Sequence, residues 1–219
     1  MCCENNWHRQ FARKEFTEMT DSVRPSAFVG DIERVAVDVE GVLAASHARL
    51  CTVHNNRYDT TYTETDIGHW DWVVDEIGFE EFMAITDEAW REEDCGASIE
   101  AYGDVAMLAN ALDRLRERFT VDVVTARTGV DDAIQAWLAE RDIEYNTFHS
   151  LPHTETKAAL GYDAYIDDKP GLADRLAADQ CQYLVKQPWN RAAWRHRWTI
   201  AVASVVEAVD RLLANTGEL

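Results

Sequence analysis

Two apolar runs in this chain end in acids. Arg34-Val35-Ala36-Val37 runs into Asp38-Val39-Glu40-Gly41, and Ala164-Tyr165-Ile166 runs into Asp167-Asp168. A short run rich in β-branched residues reads as a buried strand. Acids that follow it directly sit at the strand's carboxyl end, where open α/β sheets collect their ligands. The rest of the fold must therefore bring two distant strand ends together.

The pattern between and after these runs supplies the means. Ile32 to Asp38 reads as the first strand. A helix marked by Val105, Leu108, Leu112 and Leu115, with Ser98 as a candidate N-cap, leads to a second strand at Val121-Asp122-Val123-Val124-Thr125. Alternation continues with a helix over 131–141, a short strand over 145–148, a helix from Thr156, a strand over 164–167, a helix over 171–178 and a strand over 182–185. Trp198 to Val202 reads as an edge strand. Ser204 then caps a last helix with Val205, Val209, Leu212 and Leu213 on one face. Strands alternating with helices require right-handed parallel crossovers, so the core is expected to be an α/β, three-layer, doubly wound parallel sheet of Rossmann-like type.

Two segments fall outside the alternation. Residues 1–30 are polar and lack a period, and read as a poorly ordered N-terminal extension in which Met19 is an alternative start. Residues 44–97 form an insertion after the first strand, rich in acids and aromatics, with Phe82, Met83, Ile85, Ala89 and Trp90 near helical spacing. A small helical cap is expected there, set on a core made of 31–43 and 98–219.

Charge limits the partners. Forty Asp and Glu against 21 Lys and Arg give a net charge of −19, and only four residues are lysine. Nucleic-acid polymers and anionic membranes are bound by arrayed cations, which this chain lacks in bulk. The sequence contains neither an apolar stretch of membrane-spanning length nor a secretory leader, so a cytoplasmic location is expected. Five cysteines without a CxxC pair argue against a disulfide framework and a structural zinc site.

The acids suit one chemistry. A phosphomonoester is a dianion, and a carboxylate can attack it only when cations neutralise both partners, which explains acids in pairs with Mg²⁺. Asp38 is the candidate nucleophile, and Glu40, two residues on, the candidate acid and base for leaving group and water. Asp168 with Asp167 completes a hard oxygen site for the cation. Thr125, at the end of the second strand, offers a hydroxyl and an N–H to phosphoryl oxygens, and Lys157 offsets charge between nucleophile and phosphate. Arg127 is a candidate phosphate contact, and Trp70 and Trp72 are candidates for stacking on a flat substrate. Any one of these residues alone reads as a turn, a cap or a core side chain; their order along the chain is what points to a site.

That ordered set, Asp38-Val39-Glu40-Gly41-Val42, then Thr125, Lys157 and Ile166-Asp167-Asp168, resembles the haloacid dehalogenase-like (HAD) superfamily of aspartyl-phosphate hydrolases over roughly residues 32–190. The resemblance implies a Rossmann-like core and Mg²⁺ held by the Asp38 side chain, the Glu40 backbone carbonyl and an aspartate of the last motif, with Asp168 favoured over Asp167. Within the superfamily, Tyr62-Thr63-Glu64-Thr65-Asp66-Ile67, His69-Trp70-Asp71-Trp72, Thr125-Ala126-Arg127, Ala136-Trp137-Leu138 and Ile166-Asp167-Asp168-Lys169-Pro170 look like the cytosolic type C 5′-nucleotidase group. The expected substrate is then a nucleotide or another small phosphorylated metabolite. Glu40 departs from the Asp usual at that position, and its extra methylene shifts the reach of the acid.

Other functions use similar residues. A receiver-type phosphorylation module has an acidic pair, a phosphorylated Asp, a Thr and a Lys, but there the pair lies on the first strand and the Lys follows it. A dehalogenase would attack carbon from the same Asp with no need of Glu40 or the metal acids. A phosphate-binding member of the fold without catalysis is the remaining alternative.

The acidic, lysine-poor composition also resembles that of proteins from a salt-rich cytoplasm. At molar salt the Debye length is about 3 Å, so self-repulsion that strains the fold in dilute buffer is screened. The fold is expected to lose structure at low salt. A circular dichroism signal and melting midpoint unchanged between dilute buffer and molar KCl would contradict this.

Overall fold

The structure, a computed structural model, describes residues 32–91, 99–196 and 198–215. The expected N-terminal extension and the proposed cap at Ser98 lie outside the described residues. Six strands form one sheet: β1 (Arg34–Val37), β2 (Thr120–Thr125), β3 (Phe148–Ser150), β4 (Ala164–Asp167), β5 (Cys181–Val185) and β6 (Thr199–Val202). They lie side by side in the order β3-β2-β1-β4-β5-β6, and every pairing is parallel. The expected doubly wound α/β sheet is therefore present. The chain lays strands outward from β1 in one direction, then resumes at β4 on its other side. The crevice between β1 and β4 is thus the switch point where such sheets bind ligands.

Strand residues alternate between two apolar layers. Val35, Val37, Val121, Val123, Ala164 and Ile166 face one core, shared with three long helices: α4 (Val105–Arg116), α5 (Asp131–Ala139) and α6 (Val205–Asn215). Helix α4 presents Leu108, Leu112 and Leu115 at 3.6-residue spacing, and its N-cap is Asp104, whose carboxylate accepts from the Met107 amide at 2.9 Å. Helix α6 starts at Ser204, whose hydroxyl accepts from the Glu207 amide at 3.2 Å. The opposite face carries Ala36, Val124 and Tyr165, covered by Tyr162, Leu172 and the chain around Leu151 to Leu176.

That second layer departs from expectation in two places. No helix spans 171–178: buried Leu172 leads into a single 3₁₀ turn, Ala173–Arg175, in which Ala173 is buried, and Leu176 is already extended. The stretch has helix-forming residues, but the chain turns extended at Leu176 after that one turn. The chain from Thr156 likewise forms a 3₁₀ helix, Lys157–Leu160, stopped at Gly161 in the left-handed region. The strand expected over 145–148 begins later, at Phe148, because Asn146 pairs with Val121 through both its amide and its side-chain oxygen.

Between β1 and β2 the chain forms α1 (Ser46–Tyr58), α2 (Val74–Ile77) and α3 (Phe79–Arg91). Leu50 and Val53 of α1 meet Phe82, Ile85 and Ala89 of α3 in an apolar cluster of their own. The strong stripe on α3 was legible from spacing. Helix α1, with Leu50, Cys51 and Val53 among histidines and asparagines, was not. No helix among the described residues is long and apolar enough to cross a membrane.

Candidate active site

Asp38 is the first residue past β1, and its amide still donates to Ile166 O at 2.9 Å, continuing the ladder with β4. Its Oδ1 accepts from the Val39 amide at 2.8 Å. The chain then turns sharply: the Ala44 amide donates to Val39 O at 2.8 Å and the Gly41 amide to Ala44 O at 3.0 Å. Gly41 has φ +75°, and a Cβ there would lie 2.2 Å from Asp168 Oδ2. Only glycine permits this approach of the turn to the acidic pair.

Lys157 stands at the start of its 3₁₀ helix with its side chain buried. Its Nζ lies 2.6 Å from Asp38 Oδ2 and 2.8 Å from Asp167 Oδ2. Burial alone would lower its pKa, but Asp167 and Asp38 outweigh that and hold it above the ordinary lysine value, so it stays an ammonium. Asp38, Asp167 and Asp168 are all buried, with one carboxylate oxygen of each within 4.8 Å of the others.

One ammonium among three carboxyls leaves two negative charges without a cation when all three ionise. Burial accordingly pushes Asp38 well above the usual carboxylate range, against the pull of Lys157 and with help from Asp167, Glu40 and Asp168. Burial and Asp167 push Asp168 up to about 7, opposed by Trp189 and Lys157. The oxygens are not equivalent. Asp167 uses both, taking Lys157 on Oδ2 and the Lys169 amide on Oδ1 at 2.7 Å. Asp168 takes the Trp189 indole N–H on Oδ2 at 2.6 Å, and no described residue donates to its Oδ1. Uncompensated hard oxygens in this number fit a small divalent cation.

Glu40 lies on the other side of Asp38. Its Oε2 accepts from the Thr125 hydroxyl at 2.8 Å, and its Oε1 is 3.7 Å from Arg127 Nε. Arg127 also donates to Thr86 Oγ1 at 2.6 Å and Asp87 Oδ1 at 3.0 Å, which ties the site to α3. A cavity of about 30 Å³ opens here between the core and the helical insertion, lined by Glu40, Ser46, His47, Trp70, Phe82 and Arg127 among others. Trp70 meets Phe82 edge to face at 5.3 Å. Trp72 does not line the cavity; it packs edge to face on Tyr62 at 4.6 Å, inside the insertion.

The structure thus brings Asp38, Glu40, Thr125, Lys157, Asp167, Asp168 and Arg127 to one sheet edge, with Trp70 at the cavity and Trp72 away from it. Two further residues, from the segment after β5, touch the site. Trp189 bonds Asp168, and Asn190 Nδ2 donates to Asp168 O and to Val185 O, each at 2.8 Å. The available signal was position, since Gln187-Pro188-Trp189-Asn190 follows β5 at the same edge. His47, stacked on Trp189 with ring centroids 4.0 Å apart, had no such signal. Burial, followed by the charge of Arg127, lowers its pKa to about 3 and keeps it neutral.

No protein-family model and no curated protein matches the chain. Solved structures do. The fold is similar to a haloacid dehalogenase-like family hydrolase from Streptococcus pneumoniae, with a TM-score of 0.61 and 12% identity over 83% of this chain and 98% of that one. It is also similar to a "predicted phosphoglycolate phosphatase" from Haemophilus somnus (TM-score 0.54, 14% identity, 83% of this chain and 98% of that one). A third is CbbY from Rhodobacter sphaeroides in complex with phosphate (TM-score 0.51, 11% identity, 81% of this chain and 96% of that one). At these identities the likeness is one of fold. The chain has the Rossmann-like fold of HAD-like hydrolases.

The raised pKa of Asp168 gives a stability prediction. A carboxyl titrating near 7 when folded and near its ordinary value when unfolded makes folding progressively less favourable as pH rises between those values. Asp168→Asn removes that cost. In cation-free buffer its stability relative to the wild type should rise by a few kcal/mol from pH 4 to pH 7, since a tenfold change in proton affinity is worth about 1.4 kcal/mol. Urea denaturation with chelator across this range reads it; parallel pH profiles for the two proteins would contradict the assignment.

Proposed function

We propose that this protein is a Mg²⁺-dependent phosphomonoester hydrolase of the HAD superfamily that works through an aspartyl-phosphate at Asp38. The observation that carries the reading is the Lys157 ammonium set between Asp38 and Asp167, with Asp168 alongside, at the switch point of the sheet. An attacking carboxylate must meet a phosphoryl group that already bears negative charge, and a fixed buried ammonium beside it reduces the repulsion.

The residues divide the reaction as follows. An Asp38 oxygen attacks phosphorus as the bond from phosphorus to the leaving oxygen breaks, and protonated Glu40 gives that oxygen its proton. The carboxylate of Glu40 then takes a proton from water as the water oxygen attacks phosphorus, which releases inorganic phosphate and restores Asp38. Thr125 holds Glu40 through its 2.8 Å hydrogen bond. Arg127, paired with Glu40 and joined to α3, links the acid to the insertion, which would serve as the cap. Asp38, Asp168 and the Glu40 carbonyl would hold Mg²⁺, while Asp167, with both oxygens engaged, anchors Lys157. The bound cation would supply charge neutralisation for the phosphoryl group.

For substrate we favour a small phosphorylated metabolite, with a nucleoside monophosphate first because of the type C 5′-nucleotidase-like segments and Trp70 at the cavity. The strongly acidic composition suits a salt-rich cytoplasm.

The test is phosphate release at molar KCl, with and without Mg²⁺, across p-nitrophenyl phosphate, nucleoside monophosphates and sugar phosphates. Magnesium-dependent turnover is expected. Asp38→Asn should abolish it in a folded protein, and Glu40→Gln should slow it about 10²–10⁴-fold, the usual worth of a general acid or base. Wild-type rates in either variant would refute the roles.

A further inference from the structure

The segment after β5 grips the acidic site from outside the residues that carry the chemistry. Trp189 is buried, and its indole N–H donates to Asp168 Oδ2 at 2.6 Å, with Asp168 buried as well. The same segment holds the Asp168 backbone through Asn190 and the Gly41 carbonyl through Gln187 Nε2 at 2.7 Å. The indole edge also reaches the glycine turn, with its Cζ2 3.1 Å from where a Gly41 Cβ would stand. On its outer face the indole is backed by the His47 ring of α1, 4.0 Å away and nearly parallel.

We infer that Trp189 is a positioning residue for Asp168: its N–H occupies Oδ2, fixes the carboxylate plane and leaves Oδ1 turned to a divalent cation. A free buried carboxylate would rotate about its last torsion, which is broad and two-fold, or bridge to a neighbouring donor. The indole N–H is a donor only, in a rigid ring that cannot swing away. His47 makes the ring's position depend on α1, so the insertion and the cation-binding acid are mechanically joined. Groups that orient a metal-ligating carboxylate in this way commonly account for 10–100-fold in metal affinity. The inference rests on the cation site proposed above.

The test is calorimetric binding of MgCl₂ and MnCl₂ to the full chain at molar KCl. Trp189→Phe keeps an aromatic ring against His47 and deletes the N–H. Its Kd for both cations should rise at least 10-fold. Where that variant lacks the wild-type circular dichroism spectrum, His47→Ala takes its place, since it withdraws the backing ring and keeps the N–H; its Kd should rise at least 3-fold. A packing role alone would lower the melting midpoint and leave Kd unchanged, and an unchanged Kd in a folded variant overturns the inference. Wild-type protein that binds neither cation removes both the cation site and this inference. Cation binding weakened by the variants, in a wild type that releases no phosphate, would overturn the phosphatase reading and leave this one standing.

Discussion

The site depends on the contact of one buried ammonium with two buried carboxylates. Lys157 Nζ, 2.6 Å from Asp38 and 2.8 Å from Asp167, joins the ends of β1 and β4 across the crevice where the strand order reverses. Three acids packed without a cation would be strongly disfavoured in that crevice, and removing one member of a buried ion pair typically costs about 3–5 kcal/mol. Lys157 relieves the cluster only in part: burial, followed by the neighbouring acids, still pushes Asp38 and Asp168 upward. The same imbalance makes the site receptive to a divalent cation and to the chemistry proposed for it.

The surrounding structure holds that cluster by small geometric constraints. Gly41 lets the turn after Asp38 pass against Asp168, where any side chain would collide. Thr125 and Arg127, both at the end of β2, fix Glu40 on the opposite flank. Arg127 reaches onward to Thr86 and Asp87 of α3, and His47 of α1 leans on Trp189, so the helical insertion touches both flanks of the site. A ligand in the small cavity between them would meet groups contributed by sheet and insertion together.

Much of this was legible from the sequence. The β4 strand falls over the residues that its apolar run marked; Asp167 closes that strand, and Asp38 and Asp168 directly follow strand ends, because hydrophobic run and acid are contiguous there. Lys157 was distinguishable by its scarcity in an arginine-rich chain. What the sequence hid is physical in origin. Helix α1 buries His47 and His54 beside Leu50, Cys51 and Val53, so its buried face is mixed in polarity and periodicity misses it. The stretch 171–178 has helix-forming residues, but tertiary packing needs only one turn of them. The pairing of Trp189 with Asp168 joins residues 21 apart, and Trp72, an equal of Trp70 in the text, faces the interior of the insertion. Contacts of that kind follow from packing, which leaves no local pattern.

Chemical trapping of the intermediate would show which side chain carries the phosphoryl group. Wild-type protein turning over its best substrate with Mg²⁺ would be quenched, reduced with borohydride to convert any acyl phosphate to the alcohol, and digested for peptide mass spectrometry. Modification is expected at Asp38 and at no other carboxylate. Modification at Glu40, Asp167 or Asp168, or none at all in protein shown to be releasing phosphate, would contradict the nucleophilic role of Asp38.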